Sequence, residues 1–138
     1  MNLRTVIGAA SAVISLGIAM PAAAHGAGEV VTPHFEQAIP NIPGKSLIAV
    51  LVDYAPGGAS APHVHAKSAF IFGYVVSGAI ETQVNDEPKR IVHAGESFYE
   101  PPGSRHPVSR NASATVPAKL LAVFVVDTKD RDLTTPDK

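Results

Sequence analysis

Along much of the chain, apolar residues recur at every second position in short runs, the spacing of half-buried strands. Lys45 to Tyr54 is dense in aliphatic and β-branched residues and stops at Ala55-Pro56-Gly57-Gly58, which predicts a strand ending in a turn. Phe70 to Val76 reads the same way before Ser77-Gly78. Ile80 to Val84 alternates, Asn85-Asp86-Glu87-Pro88 supplies a turn, and Arg90 to His93 resumes, which predicts a hairpin. Ser97 to Glu100 is a short strand closed by Pro101-Pro102-Gly103, and Lys119 to Val126 is a last apolar strand. No window carries a helical stripe with caps. The expectation is an all-β sandwich or barrel, a form that limits exposed strand edges and offers a concave mouth for a ligand.

The two ends depart from this pattern. Arg4 is followed by an uncharged, mostly apolar run from Val6 to Met20, then Pro21 and Ala22-Ala23-Ala24, the order of parts in a secretory signal peptide. Cleavage is expected after Ala24. The run is diluted by Gly, Ser and Ala and is shorter than the ~20 apolar residues of a spanning helix, so no stable membrane anchor is expected. The reading is a signal peptide at 1–24, an N-terminal arm rich in Gly and Pro at 25–44, a barrel at 45–126 and a loose charged tail at 127–138.

Charge and cysteine content narrow the chemistry. Eleven Lys and Arg stand against 12 Asp and Glu, without the basic stripe that attracts phosphate backbones, so nucleic acid is not an expected partner. The absence of cysteine excludes disulfides, a thiol nucleophile, Cys-ligated zinc and iron–sulfur clusters. With an export signal, the expected compartment is the periplasm.

Any metal site must then use His, carboxylate or amide ligands. His63 and His65 are two residues apart, so in an extended segment both imidazoles point to one face. His106 follows the stiff turn Pro101-Pro102-Gly103. Neutral imidazole suits iron, zinc, copper, nickel and manganese, although an isolated His-x-His pair is as compatible with surface or hydrogen-bonded histidines.

Two segments resemble the cupin superfamily: Gly57, five residues, then His63-Val64-His65 and later Gly78; and Gly95, five residues, then Pro101-Pro102-Gly103-Ser104-Arg105-His106. The resemblance implies a double-stranded β-helix, or jelly-roll barrel, with His63, His65 and His106 facing inward as metal ligands. Cupins usually carry a glutamate between the His pair and the glycine, where this chain has Ile71, with Ala69 and Phe70 as neighbouring choices. The resemblance therefore implies a three-histidine site with Fe(II) favoured and Mn, Ni, Zn or Cu as alternatives. It admits both a dioxygenase-like oxidoreductase and a non-catalytic module that binds a small molecule or a metal, and it admits a homodimer.

Replacements for the missing carboxylate are Glu81 and Gln83 on one strand face and Glu96 and Glu100 on another, although such strand residues ordinarily face solvent; Gln83 is the favoured neighbour of the site, because an amide can hydrogen-bond a bound substrate or water without adding charge. Tyr74 and Phe98 are further candidates for a ligand-binding wall. Phe70, Phe72 and Tyr99, like those two, read as barrel packing. His34 and His93 read as surface or structural residues. His25 would become an amino-terminal copper chelate after cleavage, a role that a shift of the cut by one residue would abolish.

Overall fold

The structure, a computed structural model, describes residues 26–138. The expected signal peptide and the His25 chelate lie outside the described residues. Eleven strands follow in order: β1 (Glu29–Ala38), β2 (Lys45–Tyr54), β3 (His63–His65), β4 (Phe70–Ser77), β5 (Ala79–Gln83), β6 (Arg90–His93), β7 (Ser97–Glu100), β8 (Arg105–His106), β9 (Val108–Asn111), β10 (Ala118–Asp127) and β11 (Thr134–Pro136). Among the described residues there is no helix.

The strands form a five-stranded sheet in the order β1-β2-β10-β4-β7 and two three-stranded sheets, β11-β3-β8 and β6-β5-β9, with antiparallel pairing throughout. Crossing from β4 to β10 to β2 joins segments distant in sequence, as a jelly roll requires. Strict alternation drives the packing. Leu120, Ala122, Phe124 and Val126 of β10 point inward beside Ile71 and Val75 of β4, and one cluster continues across to Ile80 and Val92 of the opposing sheet.

Two glycines are required by geometry. Gly78 has φ 72°, and a Cβ there would lie 2.7 Å from the Pro117 carbonyl oxygen. Gly73 sits opposite Phe98 on β7, whose ring occupies the space where a side chain at 73 would stand, 2.7 Å from a built Cβ. Gly103, expected in a turn, also has positive φ.

Both ends differ from the sequence reading. The arm forms β1, an edge strand paired along its length with β2 and broken by an irregularity between Pro33 and Phe35. Its prolines hide the period-2 signal, and an edge position tolerates Pro33 because no inner ladder needs its N–H. The tail is docked: β11 pairs with β3, Asp137 N donates to Pro62 O, and the Arg105 guanidinium bonds the Asp137 carboxylate at 2.9 Å. The aromatic residues expected to pack the barrel are divided by parity. Phe98 is buried, whereas Phe70, Phe72, Tyr74 and Tyr99 are exposed on the outer face of the large sheet, with Phe70 stacked on Tyr99.

Candidate metal centre

The two histidine-bearing strands are neighbours in one sheet. β3 pairs with β8 so that His63 stands opposite His106, and His65 N donates to Ser104 O while Gly103 N donates to Ala66 O. These bonds clamp the proline turn onto the His-x-His segment. All three imidazoles are buried, Val64 between them is only half-buried, and one ring nitrogen from each lies within 4.8 Å of the others. Alternation along β3 and the β3–β8 register thus bring the three predicted residues to one point.

The bonds on the far side of each ring set the direction of its lone pairs. His63 Nδ1 lies 2.8 Å from Ala61 O and His65 Nδ1 lies 3.3 Å from Leu133 O. A carbonyl only accepts, so each Nδ1 carries the hydrogen and each Nε2 presents a lone pair to the centre. The second contact comes from the docked tail. His106 is held differently, with Nε2 2.8 Å from the hydroxyl of Thr82 on β5 and Nδ1 turned inward.

A carboxylate completes the cluster. Glu100 Oε2 lies 2.9 Å from His65 Nε2 and 3.2 Å from His106 Nδ1. The 2.9 Å approach lacks hydrogen-bond alignment, and both Glu100 Oε2 and His65 Nε2 are buried without a hydrogen-bond partner. Burial holds His106 down to about 4, against the pull of Glu100, and burial likewise lowers His63. For Glu100, burial alone would raise the carboxyl, but its contact with His65 and the fields of His106, His65 and His63 outweigh that and hold it below its ordinary value. Burial thus favours the neutral form of His63 and His106 beside an ionised Glu100, and these groups converge with His65 on one desolvated point.

Glu100 is where the ordinary expectation for charged residues fails. β7 buries Phe98 and Glu100 on the same face, so the apolar Phe98 two residues earlier marks its direction. Glu100 is also the register partner of Ile71, the residue in the usual glutamate position. Ile71 itself is packed in the core. The carboxylate nearest that position stands on the adjacent strand.

Most other proposed neighbours of the site fall away. Gln83 and Glu81 project from the face of β5 opposite to Thr82; Gln83 Nε2 donates to Glu87 O, and Glu81 pairs with Arg110. Tyr74 lies on the outer face, and Glu96 is exposed and accepts from His93 N. Phe98 does border the site, its ring centroid 6.2 Å from that of His106.

This cluster lines a cavity of about 150 Å³ between β2 and β10 on one side and β3 and β8 on the other. The large-sheet side is apolar, with Val50, Val52, Leu120, Ala122 and Phe124; Tyr54, Ser60, Ser109 and Glu29 form a second polar group on the lining.

A family model for the cupin domain matches residues 50–124. The chain belongs to the cupin family. This cupin is 32% identical to germin-like protein subfamily 2 member 2 of Arabidopsis thaliana over 113 residues, covering 78% of this chain and 50% of the relative. It superposes on a structure of oxalate oxidase in complex with the substrate analogue glycolate with TM-score 0.56 at 30% identity, covering 72% of this chain and 51% of the other. A double-stranded beta-helix protein from Klebsiella pneumoniae shares the fold, with TM-score 0.62 at 18% identity, covering 86% and 90% of the two chains. The cupin spans about half the length of the curated relatives it matches.

Proposed function

We propose that this cupin holds a divalent metal ion on His63, His65, His106 and Glu100 and takes a small organic molecule into the adjoining cavity. The observation that carries the reading is the buried pair Glu100 Oε2 and His65 Nε2, which lack any partner where imidazole lone pairs converge. Leaving such groups unpaired in a desolvated site costs several kcal/mol, and a cation removes that cost. Three imidazoles with one carboxylate suit iron or manganese, and the extra carboxylate adds support for manganese beside the Fe(II) favoured for three histidines. When bound, such an ion supplies Lewis acidity and one-electron redox chemistry. The chain contributes the tautomers fixed by Ala61 and Leu133, the Thr82 contact that orients His106, and an apolar wall that limits water.

The similarity to oxalate oxidase supports an oxidoreductase over a passive binding module, and Glu100 removes the lack of a nearby carboxylate as a reason to favour the module. Elemental analysis of purified protein, followed by oxygen-consumption assays with Fe(II) or Mn(II) restored, tests both steps. A protein that stays metal-free on reconstitution overturns the metal reading; full metal content without turnover leaves the binding module as the function.

The outer sheet face supports a homodimer. Leu51, Leu121 and Tyr74 form one register row and Leu47, Val125 and Phe70 another, without a charged side chain in either. A two-fold contact matches such an uncharged patch with itself. Light scattering checks this, with Phe72→Glu expected to give a monomer. Export, with the mature chain starting near His25, belongs to the same reading and is checked by the mass of the secreted product.

A further inference from the structure

The second polar group in the cavity specifies what the cavity takes. Ser60 Oγ donates to Glu29 Oε2, and Gly26 N donates to Oε1 of the same carboxylate at 2.5 Å. Both carboxylate oxygens accept, as an anion requires. That fixes the direction of every hydroxyl behind it. Ser60 has one proton and spends it on Glu29, so across the 2.6 Å contact with Tyr54 Oη the serine accepts and the tyrosine donates. Tyr54 has then spent its proton, so across the 2.8 Å contact with Ser109 Oγ the serine donates. The relay runs Ser109 to Tyr54 to Ser60 to Glu29. No hydroxyl proton is left over, while unused lone pairs remain.

We infer that the ligand of this cavity is an uncharged, largely apolar molecule about the size of one benzene ring that carries a hydrogen-bond donor such as a hydroxyl. This rests on the proposed function in placing ligand and metal in one cavity, and three observations carry it. The volume of about 150 Å³, which includes the space in front of the four metal-binding side chains, limits the enclosed part of a ligand to about a single benzene ring. The relay offers acceptors and withholds donors, and Thr134 carries the one side-chain hydroxyl on the lining that stands outside it. No Lys or Arg lines the cavity, whereas Glu29 and Glu100 do; a divalent ion would be balanced by these two carboxylates, leaving no excess positive charge to hold an anion. A dicarboxylate such as oxalate therefore meets an unfavourable field here.

The test uses calorimetric titration of the metal-reconstituted protein with phenol, fluorobenzene, benzoate and oxalate. Phenol and fluorobenzene differ little in size but only phenol donates, so phenol is expected to bind about tenfold tighter, the upper range for one hydrogen bond. Benzoate and oxalate are expected to bind more weakly than phenol. Glu29→Gln can donate as well as accept, and Ser60→Ala frees the Tyr54 proton; in either variant the preference for phenol over fluorobenzene should fall below about threefold. Equal binding of phenol and fluorobenzene, tightest binding of an anion, or no binding of any probe at millimolar concentration overturns the inference, and none of these needs a variant. Metal content measured on the same samples separates the two readings: a metal-free protein that keeps the phenol preference overturns the metal site and supports the donor preference.

Discussion

Replacing Glu100 by Gln keeps shape and volume and removes one negative charge from the centre of the cluster. If Glu100 is a metal ligand, the metal-free and metal-bound forms respond in opposite directions. In the metal-free protein Glu100 Oε2 and His65 Nε2 are buried side by side without a hydrogen-bond partner; an amide N–H at position 100 can donate to His65 Nε2, so stability should hold or rise by about 1 kcal/mol. Metal affinity should fall by at least about 100-fold, because outer-sphere partners of metal sites already cost 10–100-fold. At a metal concentration ~100 times the wild-type Kd, the ion stabilises the wild type by about 2.7 kcal/mol. A 100-fold weaker variant at the same concentration gains only about 0.4 kcal/mol. For a domain of this size, with roughly 3–5 °C per kcal/mol, the metal-induced rise in Tm is about 10 °C for the wild type and below about 2 °C for the variant. Thermal melts with EDTA and with added Mn(II) read both numbers. If Glu100 instead only pairs with a protonated histidine, breaking that buried pair should cost the metal-free protein about 3–5 kcal/mol. A metal-free variant destabilised to that extent, or one with an unchanged metal-induced rise, refutes the assignment.

Acid should weaken the metal-free fold well above the carboxylate range. His106 is held down to about 4 in the folded state against 6.5 when exposed, so the unfolded chain binds more protons between these values and the stability it confers is lost as pH falls through that window; urea unfolding should give about 2 kcal/mol less at pH 5 than at pH 7. Gly73→Ala drives a methyl into the Phe98 ring and should cost about 1–3 kcal/mol in the same assay. Gln83→Ala, on the face of β5 turned away from Thr82, should leave metal content unchanged by elemental analysis, and a loss of metal would show that the site extends through that strand.

The period-2 runs determined most strands, because burial of one sheet face imposes that spacing locally. The His-x-His parity put His63 and His65 on one face as a short-range feature, and the resemblance to the two cupin motifs added His106, which together named three of the four converging side chains. The two ends were illegible for a different reason. β1 gains its order by pairing with β2, and the tail gains its order from β3 and Arg105, so neither needed a strong local signal. Glu100 occupies a strand whose alternation was readable, but its charge argued for solvent; only the register of β7 against β4, which sets it beside Ile71 and near three histidines, gives a buried carboxylate compensating neighbours. Thr82, the Leu133 carbonyl and the relay from Ser109 to Glu29 join residues up to 80 positions apart along the chain, and hydrogen-bond direction at such distances is set by the packed fold, where each donor has one proton and each carbonyl can only accept.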